Sequence, residues 1–304
     1  MPRHLLVSGA SGLIGTPLVE HLQAKGHRVT RLVRRPAGKN EVSWDPMGPR
    51  IDLSSLPRVD AVINLAGENI ATRWTSAARR RIHDSRVFGT QLLSRAIARL
   101  QPRPEVMVSA SAIGIYADRA DQELTETSPV GDPARDFLVS VCLGWEAAAE
   151  EARQAGIRVV HPRFGVVLGR EGGALKKMLP AFRAGLGSRI GPGTQWMSWI
   201  GLDETVEIID HILGDRSLAG PVNVTAPHPV RNAEFTSSLA RALGRPAPLV
   251  VPGAALRLIF GDMGQSTLLA SARVLPARLQ QVGYQFRFPD LPGALQHLVE
   301  QPRR

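Results

Sequence analysis

Near its start the chain reads HLLVSGASGLIG, which sets Gly9, Gly12 and Gly15 three residues apart, between an apolar run and a helical pattern. A strand that turns this tightly into a helix is the opening of a βαβ unit. If the turn holds a dinucleotide, each glycine has a reason. The first makes the tight turn out of the strand. The second lets backbone N–H groups approach a pyrophosphate. The third lets helix and strand pack closely, and the helix N-terminus then faces the anion. The loop offered to such a ligand runs through Gly9, Ser11, Gly12, Leu13, Ile14 and Gly15. The spacing is G-x-x-G-x-x-G rather than G-x-G-x-x-G, so the strand before it and the amphipathic helix after it carry the argument.

The first half of the chain continues in the same rhythm. His4–Ser8, Arg28–Val33, Asp60–Asn64, Val106–Ala110 and Ile157–Pro162 read as strands. Residues 13–25, 76–100 and 134–154 read as helices, the first stopped by Gly26. This alternation predicts an α/β fold, a Rossmann-like doubly wound parallel sheet covered by helices on both faces. Past about residue 170 the texture changes to glycine-rich stretches around a short helix. A helix over 203–213 capped by Asp203, a return strand at 222–225 and several short proline-punctuated helices follow. The expected division is a cofactor-binding domain over 1–228, with a substrate-side excursion at about 170–202, and a small, mainly helical domain over 229–304.

The end of the second strand tests which dinucleotide is meant. An acidic residue there would bond the ribose 2′-OH of NAD, and an arginine would favour the 2′-phosphate of NADP. The strand ends in Arg34 and Arg35 with no acid beside them, and Ser11 adds a hydroxyl from the glycine loop. A guanidinium fork matches a phosphate, so NADP (NADPH) is the expected cofactor.

Composition narrows the partners. The chain has 304 residues and a formal net charge of +10. Its arginines are spread out, and Arg34-Arg35 and Arg79-Arg80-Arg81 are short runs without interleaved aromatic residues. A basic field of this kind suits an anionic small ligand, and no nucleic-acid partner is expected. No run of apolar residues is long enough to cross a membrane, and Cys142 is the single cysteine. A cytoplasmic protein without membrane attachment is therefore expected. Apolar residues at 256–260 leave a homodimer open.

Later segments are more specific. SRVFGT at 85–90 is similar to a helix motif of extended short-chain dehydrogenase/reductases, with Arg86 where their usual asparagine stands. RFGVVLG at 163–169 resembles their turn after the sixth strand. GENIA at 67–71, RWT at 73–75, WEAAA at 145–149, VLGREGG at 167–173, NVTAP at 223–227 and VLPAR at 274–278 resemble one branch of that superfamily. It is the atypical, epimerase-like group with a C-terminal domain of unknown function, whose members are described as predicted nucleoside-diphosphate-sugar epimerases. The resemblance covers nearly the whole chain. It implies that Leu65, Ala66, Gly67, Pro162 and Arg163 also line the cofactor. It also implies an oxidoreductase or epimerase acting on a nucleotide sugar or another small carbonyl or hydroxyl compound. One departure is Gly201, which stands where the family often has histidine.

Typical members of the superfamily use a Ser or Thr, a Tyr and a Lys, with Tyr-x-x-x-Lys on one helix face. Placed by Glu146, the Lys position falls on Cys142 and the Tyr position on Leu138. The Ser/Thr position falls on Ala112, with Ser111 one residue away. The remaining candidates for catalysis are Ser111, Tyr116 and Glu68. Asn69, Arg73 and Trp199 are the expected substrate contacts, and no metal site is expected. The missing Tyr and Lys leave a second reading open, a non-catalytic NADP-binding sensor acting through a protein partner.

Overall fold

The computed structural model describes residues 1–300. The first half runs β1 (His4–Ser8), α1 (Gly15–Ala24), β2 (Arg28–Val33), β3 (Glu41–Ser43), β4 (Ala61–Asn64), α2 (Ser76–Ala98), β5 (Val106–Ser109), β6 (Ser111–Ala112), β7 (Glu123–Leu124), α3 (Phe137–Ala147), α4 (Glu150–Gln154) and β8 (Arg158–Phe164). The second half runs β9 (Val166–Leu168), α5 (Gly173–Arg183), β10 (Ser188–Ile190), β11 (Trp196–Met197), β12 (Trp199–Gly201), α6 (Leu202–Gly214), β13 (Gly220–Val224), β14 (Val230–Arg231), α7 (Asn232–Ala242), β15 (Leu249–Val251), α8 (Gly253–Phe260), β16 (Arg273–Val274), α9 (Ala277–Gln281) and α10 (Leu291–Glu300).

The main sheet has the order β13-β8-β5-β4-β1-β2-β3, with β6 extending the β8 side. Every pair in it is parallel. The order reverses between β1 and β4, and in such sheets the crevice outside the carboxyl ends at that point takes the ligand. Period-2 alternation divides the strand side chains between two cores. Leu5, Val7, Ala61, Ile63, Val106 and Val108 face one side, packing with α1 and α6. Leu6, Val62, Met107 and Val159 face the other, against α2 and α4. Burial on both faces is why these strands read as continuous apolar runs.

Two expectations about helices change. The helix read over 134–154 is two helices, α3 and α4. The Ser94 hydroxyl on α2 accepts the Ala152 amide at 2.8 Å and fixes the second piece. Asp203 is not a cap: α6 begins at Leu202 after Gly201, and Asp203 in its first turn bonds His297 at 2.9 Å. Among the described residues, no helix is long and apolar enough to cross a membrane. The segments after residue 228 share the first core, through Phe235, Leu239, Leu279 and Leu295. The parallel pair β10–β15 joins the excursion to the C-terminal part.

Candidate cofactor cleft

A cleft of about 700 Å³ opens at the β1/β4 switch point and runs from the end of β2 to the residues after β4. Its floor is the glycine loop. Gly9 has φ +69°, and a Cβ there would lie 2.6 Å from the Leu65 carbonyl carbon. A Cβ on Gly15 would lie 2.1 Å from the Gly9 carbonyl oxygen. The Gly12 amide bonds that same oxygen at 3.0 Å and closes the turn. The two glycines therefore let α1 start directly under the loop with its N-terminus toward the cleft, an end that favours an anion; the Thr16 amide there is taken by the Gly12 carbonyl at 3.1 Å, and Pro17 has no N–H. Leu13 and Ile14 aim their side chains away from the cleft. Ile14 packs into the core. Leu13 lies against 169–173, where a Cβ on Gly172 would meet its Cδ1 at 2.6 Å. Ser11 is exposed at the rim.

At the other end of the cleft Arg35 does not stand free. Its guanidinium holds Glu41 through two bonds of 2.7 and 2.8 Å, and Arg31 meets the same carboxylate at 3.1 Å. Glu41, on the three-residue β3, is absent from the sequence reading, because so short an edge strand carries no periodic signal. Arg34 lines the cleft with no ion-pair partner among the described residues. The net charge of Arg31, Arg34, Arg35 and Glu41 is positive, so this end suits an anion.

The strand ends between these poles are held by a buried polar network. Ser8 donates to Asn64 Oδ1 at 2.6 Å, and Asn64 Nδ2 donates to Thr90 at 2.7 Å and to Ser109 at 3.3 Å. The Trp145 indole N–H reaches the same threonine at 3.0 Å. These bonds fix β1, β4 and β5 relative to α2 and α3. Leu65, Ala66 and Gly67 leave β4 along the cleft wall. Glu68 follows, its amide on the Ser85 hydroxyl at 3.0 Å and its carboxylate 40% exposed.

Beyond Glu68 the structure revises several expectations. Tyr116 is fully buried in a short 3-10 turn. Its hydroxyl donates to Asn223 Oδ1 at 2.8 Å and accepts from Arg163 at 2.9 Å. It therefore faces the core, and burial pushes its hydroxyl further up from the ordinary tyrosine range. Ser111 is also buried and donates to Glu146 at 2.7 Å. Arg163 turns inward onto Glu146 with bonds of 2.8 and 2.9 Å, and Pro162 is buried within β8. Burial pushes the Glu146 carboxyl up. The Arg163 guanidinium and the Ser111 hydroxyl outweigh that and hold it below its ordinary value. Trp199 is fully buried with its indole N–H on the His228 carbonyl, so it is core and not a wall for a ligand. Asn69 and Arg73 are exposed next to Trp74, which is anchored in an apolar cluster with Leu138 and Met263. Leu138 thus stands in a dry cluster. Cys142 is buried, and burial pushes its thiol up to about 12.

The comparisons agree with this geometry. Residues 5–224 match the NAD dependent epimerase/dehydratase family, and residues 251–298 match a domain of unknown function, DUF1731. An epimerase family protein of Mycobacterium bovis is 41% identical over 298 residues, 97% of each chain. A human epimerase family protein, solved with NADPH, superposes with a TM-score of 0.91 at 38% identity, covering 98% of this chain and 100% of that one. A nucleoside-diphosphate sugar epimerase from Corynebacterium glutamicum gives a TM-score of 0.82 at 34% identity, covering 98% of this chain and 58% of its own. Over the glycine loop, the parallel sheet and the cleft at its switch point, this chain belongs to the NAD dependent epimerase/dehydratase family.

Proposed function

We propose that the chain is a cytoplasmic NADP(H)-dependent oxidoreductase or epimerase-like enzyme acting on a small carbonyl or hydroxyl substrate, of which a nucleotide sugar is one kind. The observation that carries the reading is the cleft itself. It joins a glycine cradle that a Cβ would fill to Arg34, which has no ion-pair partner among the described residues. The human relative solved with NADPH supports the choice of cofactor. Gly9–Gly15 and the α1 N-terminus hold the pyrophosphate, Arg34 and Ser11 the 2′-phosphate, and Leu65–Gly67 the wall beside the ribose. The bound cofactor supplies hydride chemistry, and the protein supplies position and electrostatics.

Tyr116 and Ser111 are buried and hydrogen-bonded, which leaves Glu68 as the accessible carboxylate at the inner end of the cleft. Glu68 is our candidate for moving the substrate proton, with Asn69 and Arg73 at the open side. The test is NADPH consumption at 340 nm against nucleotide sugars and small aldehydes and ketones, for wild type and Glu68→Gln. Turnover lost in Glu68→Gln with NADPH binding retained supports the assignment. Equal turnover in the two proteins rejects Glu68.

A second reading has one observation in its favour. Leu138 and Cys142 fill the positions of the usual Tyr and Lys with apolar, buried side chains. A protein that binds NADPH tightly and turns over none of these substrates fits a sensor of the cofactor.

A further inference from the structure

Arg86 is a half-buried cation with no ion-pair partner among the described residues. It projects from α2 toward the residues that follow β4. Its Nη1 donates to the carbonyl oxygens of Glu68 at 3.0 Å and Ile82 at 3.1 Å. Its Cζ lies 4.9 Å from the centroid of the Trp145 ring. On its other side is Gly67, where a Cβ would come within 3.0 Å of the same Cζ. The guanidinium is thus held between an indole face and the backbone of a residue that lines the cleft. Among the described residues no carboxylate lies within ion-pair distance of it, and its Nε and Nη2 make no hydrogen bond. Burial lowers its pKa, and the nearby Glu68 carboxylate offsets part of that. The charge is also felt at Cys142, whose thiol sits on the facing helix and carries no charge of its own at neutral pH.

These facts place a positive charge beside Gly67, at the inner end of the cleft. Position 142 is the one at which the resemblance puts a lysine on α3, and the resemblance implies that this lysine holds the nicotinamide ribose. Arg86, opposite it on α2, stands where relatives have an uncharged asparagine. Arg34 marks one end of the cleft, and Gly67, against which Arg86 lies, marks the other. Resting on the NADPH reading above, the geometry points to Arg86 as the cation that meets the nicotinamide-side ribose of the cofactor, delivered from α2 instead of α3. Its free N–H groups match ribose hydroxyls, which are acceptors as well as donors. Arg86 is a cofactor-positioning residue in this assignment, and the glycine at 67 is what lets it approach.

The test separates the two ends of the cofactor. NADPH and 2′,5′-ADP, which has only the adenine half and the 2′-phosphate, are titrated against wild type, Arg86→Met and Arg86→Gln. Thermal melts accompany the titrations, and either variant that folds suffices. A hydrogen bond to a charged group predicts that the variant loses about tenfold or more in NADPH affinity. Its affinity for 2′,5′-ADP should stay within about twofold, the size of effect left when no contact is removed. A folded variant that binds NADPH like wild type, or loses both ligands equally, overturns the assignment. Wild-type protein that binds neither ligand overturns the cofactor reading itself, a different failure.

Discussion

Replacing Gly15 with alanine adds one methyl group at the most crowded point of the cofactor loop. The new Cβ would lie 2.1 Å from the Gly9 oxygen and 2.9 Å from both the Gly9 carbonyl carbon and the Ala10 Cα. All three are backbone atoms, so no rotamer change relieves the contact. The loop must move by more than about 1 Å to restore van der Waals separation. Overpacking of this kind costs about 1–3 kcal/mol. Alanine returns up to about 1 kcal/mol as a better helix former than glycine. Global stability should therefore fall only modestly. The displacement, however, lands on the amides of Gly9–Gly15, each worth about 1.5–3 kcal/mol when bonded to a charged group. Loss of even one such bond predicts at least about a tenfold weaker NADPH affinity. Fluorescence titration with NADPH and a thermal melt measure the two effects separately. Gly26→Ala is the control: Gly26 has φ +81° with no atom within 4 Å of a new Cβ, so it is strained but far from the ligand. It should lose about 1–2 kcal/mol of stability and no affinity. Gly15→Ala protein that binds NADPH within twofold of wild type would show that the Gly15–Gly9 contact does not shape the NADPH site.

Glu146→Gln leaves the Arg163 guanidinium buried against a neutral partner and should cost about 3–5 kcal/mol in urea unfolding; a loss below 1 kcal/mol would show that the pair is not structural. His161 is held neutral because burial lowers its pKa. The unfolded chain takes up that proton near about pH 6.5 and the folded chain only at lower pH, so this contribution to stability is present above that range and lost as pH falls below it. His161→Asn should flatten the stability profile between pH 6.5 and 5, and an unchanged slope would count against the assignment. Cys142, with its thiol raised to about 12, should resist iodoacetamide at pH 8 in the native protein and react once unfolded. Rapid native labelling seen by mass spectrometry would contradict its burial.

The sheet and the glycine cradle were legible because their signals are local. Apolar strands, a helical period after Gly15 and the stop at Gly26 lie within a few residues of what they specify. The site beyond Glu68 was not legible in that way. Whether Tyr116 meets the cleft depends on the 3-10 turn at 113–116, which rotates its hydroxyl onto Arg163 and Asn223, the latter 107 residues away. Arg163 reads as a cofactor neighbour by motif, yet its partner Glu146 is set by the packing of α3 against β6. Trp199 follows a glycine-rich stretch, where a ligand wall and core packing read equally well from sequence, and its pairing with β9 carries it into the core. The end of α3 has neither glycine nor proline to announce it, and the break before α4 is fixed from α2 by Ser94. Glu41 belongs to an edge strand too short to show a period. The presence of a cofactor cleft could be argued from spacing, while the orientation of the polar groups at its inner end required long-range contacts.

Arg34 is proposed to read the 2′-phosphate of NADP(H) at the end of β2. The direct measurement is titration of wild type and Arg34→Ala with NADPH and with NADH, followed by the fluorescence of the reduced nicotinamide. A charge-assisted bond predicts that wild type prefers NADPH by about tenfold or more, and that Arg34→Ala loses most of that preference while its NADH affinity stays the same. Equal affinity of wild type for the two nucleotides, or a preference that survives the loss of Arg34, would mean that Arg34 does not read the 2′-phosphate.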